Sequence, residues 1–204
     1  MRKKDFSTLG RKLLDRLHGY HVKGALILAE PTGPILRGIA FDGSSHSKTS
    51  FYMHVFFQPL CVPAEHIHFT FGFRITDTAG MDGWESARPN LLANISKSLS
   101  KQALPFLQKV VTLDGAAETL DAMRSNNTQV KEASAFCRIL TGDTAMALKQ
   151  LEKITGFNRE IEWQDQQASR IEWMIQMLRA DPEAAKHQLL TWQTETASTL
   201  GVTR

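Results

Sequence analysis

The chain has 204 residues, 42% hydrophobic and 22% charged, with a formal net charge of +3, within the range of an ordinary soluble globular protein of one domain or one domain with a small appendage. A charge of +3 does not by itself imply a nucleic-acid partner. No apolar run approaches the roughly 18–20 residues of a membrane-spanning helix, and no signal-peptide-like apolar segment follows the basic Met1-Arg2-Lys3-Lys4, so the expected location is cytoplasmic, away from membranes.

The charge is unevenly distributed. Residues 1–110 carry 14 basic and 8 acidic side chains, a balance of +6, and residues 111–204 carry 10 and 13, a balance of −3. Much of the basic excess falls in the first helix, which Asp5 caps and which runs to about His18. Phe6, Leu9, Leu13, Leu14 and Leu17 recur there at helical spacing and leave Arg2, Lys3, Lys4, Arg11, Lys12 and Arg16 on the opposite face. A solvated helix face explains these cations most economically. The alternative is a site for an anionic ligand or nucleic acid through Arg11 and Lys12.

After Gly19 the period becomes that of a sheet. Val22–Glu30 and Ile35–Asp42 read as the two strands of a hairpin around Pro31-Thr32-Gly33-Pro34. A polar loop at residues 43–47 leads to Phe51–Gln58, apolar on both alternating faces and therefore expected as a central strand covered on both sides. In His66–Ile75 the alternation puts Ile67, Phe69, Phe71, Phe73 and Ile75 on a core face and His66, His68, Thr70 and Arg74 on the other. Residues 76–89 read as a long loop around Trp84.

Beyond Pro89 the pattern is helical. Leu91, Leu92, Ile95, Leu99, Ala103 and Leu107 form a stripe, and Pro105 is expected to kink or break that helix. Shorter helices follow at 116–124, 130–140 and 143–154, then longer ones from about Glu160 to Ala180 and from Pro182 to Gly201, the last opened by an Asp181-Pro182 cap. The expected fold is α+β: a mainly antiparallel sheet of four or five strands packed by helices, with a C-terminal helical bundle. Residues 1–110 form the sheet region and 111–204 the helical one, together one compact unit.

Chemical motifs are sparse. His66 and His68, two apart in a strand, would present both imidazoles on one face, where His54 could join them as a transition-metal site, with zinc the natural occupant. Partly exposed sheet histidines explain the same residues without a metal. The serine-rich loop at 43–47 lacks the Gly-x-Ser-x-Gly elbow, and neither Gly-x-Gly-x-x-Gly nor Gly-x-x-x-x-Gly-Lys occurs. Cys61 and Cys137 read as reduced core thiols. Trp163 and Trp173, ten apart on one helix, are about 80° out of alignment, so at least one is expected to be exposed. Trp84, beside Asp82 and Arg88, is the best single contact residue, with Arg74 and Arg88 as further binding candidates.

The segment from Glu132 to Leu148, with small residues where two helices would cross and a Gly142-Asp143 turn, resembles one tetratricopeptide unit, although a repeat array needs about three copies. The order of elements resembles that of a group of uncharacterised bacterial proteins of the domain-of-unknown-function class. The resemblance rests on Lys3-Lys4-Asp5-Phe6, Leu36-Arg37-Gly38, Ser50-Phe51-Tyr52, Gln58-Pro59-Leu60, Ala103-Leu104-Pro105-Phe106-Leu107 and the closing helix from Trp192 to Gly201. It implies an α+β fold and no particular activity or catalytic residue. Some small α+β proteins of this general kind are immunity proteins that block a toxin, often through an acidic surface that this mildly basic chain lacks. The leading expectation is a non-enzymatic module with a protein partner, of the conflict or stress-response type. The alternative is a metal-binding protein or hydrolase using His54, His66, His68 and Arg74.

Overall fold

Phe6, Leu9 and Leu13 do fall on one buried face of a helix, α1 (Lys3–Leu14), in the computed structural model of the chain, which describes residues 3–15 and 17–202. The chain divides into two compact units. Met1–Gln58 and His68–Val111 make up the sheet unit; Pro59–Ile67 and Thr112–Arg204 make up the helical unit.

The sheet unit is built on six strands, β1 (Tyr20–Lys23), β2 (Leu26–Ala29), β3 (Ile35–Gly43), β4 (Ser50–Pro59), β5 (Gly72–Arg74) and β6 (Gly83–Glu85). Their order is β1-β2-β3-β4-β5, with β6 also on β4. The run expected as one strand from Val22 to Glu30 is two. Gly24 takes φ 65°, a left-handed conformation that glycine adopts without steric cost, and the chain reverses there with Lys23 opposite Leu26.

β4 organises the rest. Its first half pairs antiparallel with β6, Phe51 opposite Trp84, and its second half with β5, Val55 opposite Phe73. Two short strands thus share one edge of a ten-residue strand. Gly72 is needed at this edge, because a Cβ there would lie 2.0 Å from the Val55 carbonyl oxygen. The core joins Phe6, Leu9 and Leu13 of α1 to Ile27, Ile39, Phe41, Phe51, Met53 and Val55 of the sheet and to Ile95, Leu99, Ala103 and Leu107. Those last four lie on a helix that changes winding midway: α2 (Leu91–Ser98), a π-helical turn (Leu99–Ala103) and α3 (Leu104–Lys109). Pro105 supplies no N–H, and its ring opposes the carbonyl four residues earlier. The chain absorbs this by widening, with the Leu104 N–H reaching back to the Leu99 carbonyl, rather than by ending the helix.

The long-loop expectation for residues 76–89 fails at β6. Trp84 is fully buried, belongs to the core and donates its indole N–H to the Ile75 carbonyl at 3.1 Å. Alternation could not reveal this strand, because three residues offer a single inward position.

The helical unit contains α4 (Leu113–Ala122), α5 (Thr128–Thr141), α6 (Thr144–Leu151), α7 (Glu162–Ala180) and α8 (Pro182–Thr199). Thr112, Asn127, Asp143 and Asp181 cap four of them through side-chain oxygens that accept from the first-turn amides. Gly142, at φ 95°, ends α5. α5 is buried almost all round, including every residue from Glu132 to Cys137, and packs on α4, α6 and α8. Ala133, Ser134 and Ala135 make that close approach possible. Among the described residues no helix is long and apolar enough to cross a membrane.

Trp84→Phe is expected to cost about 1–3 kcal/mol by stranding the Ile75 carbonyl, and Trp84→Ala about 3–5 kcal/mol through the cavity it leaves. Urea unfolding of the two variants checks both values.

Candidate functional site

The sequence candidates in the sheet unit are distributed differently from expectation. Regular strand structure in the 66–75 segment covers only Gly72–Arg74, so His66 and His68 do not leave one strand face together. Phe71 and Ile75 are buried as the alternation requires, whereas Phe69 and Phe73 are exposed. Phe69 stacks on His54, ring centroids 5.1 Å apart, and also meets Phe56, the face on which His54 and Arg74 stand opposite one another. Phe73 is covered at its edge by Phe106. An irregular segment has no period, and for that reason Phe69 escapes the core. His66 is exposed, and His68 packs edge-on against Phe71. Among the described residues no group of three His, Cys, Asp or Glu side chains is placed to hold a metal ion.

The arginines proposed for binding are engaged within the unit. Arg74 lies 4.3 Å above the Tyr52 ring and pairs with Asp82 at 2.9 Å. Arg88 pairs with Asp77, whose carboxylate is buried and also accepts from the Ala79 and Met81 amides at 2.8 and 3.0 Å. Asp77 thus pins the loop that delivers β6, and Trp84 on that strand is withdrawn from any contact role. Arg11 and Lys12 are exposed on α1. Arg2 and Arg16, expected beside them, lie outside the described residues, as does the Lys3 side chain.

The Arg88 hydrogen bond, followed by that of the Met81 amide, holds the Asp77 carboxyl below its ordinary range. Burial first, then the nearby Arg74, keeps the His54 imidazole below its ordinary value, with Asp42 and Asp82 opposing. His54 Nε2 is buried and has no hydrogen-bond partner among the described residues, in keeping with a neutral ring between aromatic neighbours.

The helical unit presents the more suggestive surface. Trp173 on α7 and Trp192 on α8 meet with ring centroids 5.6 Å apart, and Trp192 leans inward on Phe136 of α5. With Pro63, Arg170 and Gln188 they line an open depression of about 460 Å³. Trp173 is 40% exposed although it is an indole with an apolar neighbour to hand. Arg170 reaches inward. Its Nε and Nη2 donate to the two oxygens of Glu132 at 2.7 and 3.0 Å, and Gln167 donates to the same carboxylate at 2.8 Å. Glu132 has no exposure at all. The pair therefore neutralises the depression and leaves an apolar, aromatic floor with the Gln188 amide at its rim.

Sequence spacing found the misalignment of Trp163 and Trp173 but not the approach of Trp173 to Trp192, a tertiary contact between helices. Both Trp163 and Trp173 are in fact exposed. Cys61 and Cys137 are free and buried. The Cys137 thiol is hydrogen-bonded with that of Cys61, and this bond first and burial second raise it well above its usual value, in keeping with a buried core thiol. No family model, curated protein or solved structure matches this chain.

Because Asp77 and His54 both have depressed folded-state values, their contributions are present above their unfolded values and lost on acidification. Stability should begin to fall below about pH 6.5 through His54 and fall further below about pH 4 through Asp77. Asp77→Asn should remove the second loss, as read from urea midpoints across this range. In the helical unit, Arg170→Ala should cost about 3–5 kcal/mol by leaving a buried charge unpaired, and Glu132→Met/Arg170→Met should recover most of it. Urea unfolding of the two variants measures the difference.

Proposed function

We propose that the protein is a non-enzymatic binding module that engages a partner protein through the aromatic depression of its helical unit. The observation that carries this reading is the exposed Trp173 ring, set against Trp192 and beside Pro63 and Gln188. Tryptophan is among the residues that most often dominate binding energy at protein interfaces, because a large rigid ring gains much apolar contact at small entropic cost. The depression is shallow and open, which suits an apolar or aromatic anchor from a partner rather than an enclosed small substrate.

The titratable groups lend support from the other side. Asp77 serves Arg88, Glu132 serves Arg170, Asp121 serves Arg138, and Arg159 joins Asp165 and Glu172. Each of these carboxylates has a structural partner that accounts for it, and the two thiols are committed to one another inside the core.

Selection of random peptides displayed on phage against the protein tests the proposal. Enriched peptides should share an apolar or aromatic anchor, bind the wild type, and lose at least about tenfold in affinity, roughly 1.4 kcal/mol, on Trp173→Ala. The Trp173 ring is 40% exposed and packs on Trp192, so the unfolding midpoint should fall modestly with one cooperative transition retained, and circular dichroism of the variant separates lost binding from lost fold. Peptides that bind the variant as well as the wild type, or a selection with no enrichment, would remove the depression as the contact surface.

A further inference from the structure

A second concavity of the helical unit carries a different chemistry. Where α4, α5 and α6 meet, a cavity of about 300 Å³ has Leu120 and Val130 as its apolar floor and Arg124, Lys131 and Lys153 in its wall. Leu120 and Val130 are buried. None of the three cations has an ion-pair partner among the described residues.

The cavity's one carboxylate does not offset them. Asp121 accepts from Ser134 Oγ at 2.6 Å, from Gln150 Nε2 at 3.1 Å and from the Arg138 guanidinium at 2.5 Å. Arg138 answers part of its charge, being shared with Asp143 at 3.1 Å, and the three wall cations outnumber this one carboxylate, which leaves a net positive field over an apolar floor. Two further groups await a partner. Gln150 Oε1 is buried with no hydrogen-bond partner among the described residues, which is costly for an acceptor unless something fills it. The Ser125 hydroxyl accepts from the Asn127 amide at 3.0 Å and keeps its own hydrogen to donate. Arg124 itself sits at φ 45°, a left-handed conformation that non-glycine residues seldom take and that recurs at ligand sites.

We infer that this cavity binds a small phosphorylated molecule, its phosphate held among Arg124, Lys131 and Lys153 and its apolar or planar part resting on Leu120 and Val130. Three cations suit the charge of about −1.5 to −2 on a phosphate monoester better than the single charge of a carboxylate. The volume lies at the lower end of ordinary ligand sites, enough for a compact organic phosphate. Gln150 Oε1 then accepts from a hydroxyl or amine of the ligand, and Ser125 donates to a phosphate oxygen.

Titration calorimetry with phenyl phosphate, inorganic phosphate and benzoate as probes tests the inference. Phenyl phosphate is expected to bind one per chain and at least about tenfold more tightly than either of the others, since only it offers both the dianion and the apolar ring. Lys131→Ala/Lys153→Ala should weaken it by at least about tenfold with the urea midpoint unchanged; should that variant lose stability, Lys131→Gln/Lys153→Gln provides the same charge removal with the stems retained. No saturable binding, benzoate equal to phenyl phosphate, or equal affinity in a folded charge-removed variant would overturn the assignment. Trp173→Ala should bind phenyl phosphate as the wild type does, which keeps this result separate from the protein-binding reading.

Discussion

The arrangement of the helical unit depends on how one carboxylate is satisfied. Glu132 lies on the innermost helix with no access to water, and an ion so placed must be fully paired and hydrogen-bonded. Arg170 and Gln167, both on α7, meet that demand, and Thr128 at the start of α5 bonds onward to Gln167. The pairing adds little net stability compared with apolar packing. Its effect is geometric, since it ties two successive positions on one side of α7, Gln167 and Arg170, to a single point on α5. Trp173 stands three residues after Arg170 and so occupies the neighbouring position on the same side of the helix. With Arg170 committed inward, the adjoining ring is left at the rim, where α8 brings Trp192 against it.

In the sheet unit an indole plays the corresponding part. β5 and β6 are each three residues long, too short to hold an edge by backbone pairing alone. Trp84 joins them to the core by filling it and by donating to the carbonyl of Ile75, immediately after β5. Asp77 holds the intervening loop in the shape that makes this possible. Trp84, expected as a contact residue, is the most buried of the four tryptophans, whereas Trp163 and Trp173, of which at least one was expected at the surface, are both exposed.

What could be read from the residues followed local periodicity. The amphipathic stripes of α1 and of the helix after Pro89, the caps at Asp143 and Asp181, and the long apolar strand at β4 were all legible, because each is encoded within a window of a few turns. Gly24 was visible as a residue but not as a turn, since apolar neighbours on both sides masked the break. The strand expected over His66–Ile75 failed for a physical reason: His66 and His68 alternate with Ile67, Phe69 and Phe71 in sequence, yet the segment carrying them has no strand partner until Gly72. The aromatic depression and the cationic cavity were beyond reach, as each is assembled from residues on different helices, and only tertiary packing brings Trp173 to Trp192 or Lys131 to Lys153.

The measurement that bears most directly on the aromatic depression is site-specific photo-crosslinking in the cells from which the protein comes, with a benzophenone amino acid at Gln188. That residue lines the depression and leaves both indoles in place. A discrete adduct with one protein, competed by unlabelled wild type and absent when the probe is moved to exposed Met146, is the predicted result. No adduct at Gln188, or the same adducts from both positions, would contradict the account.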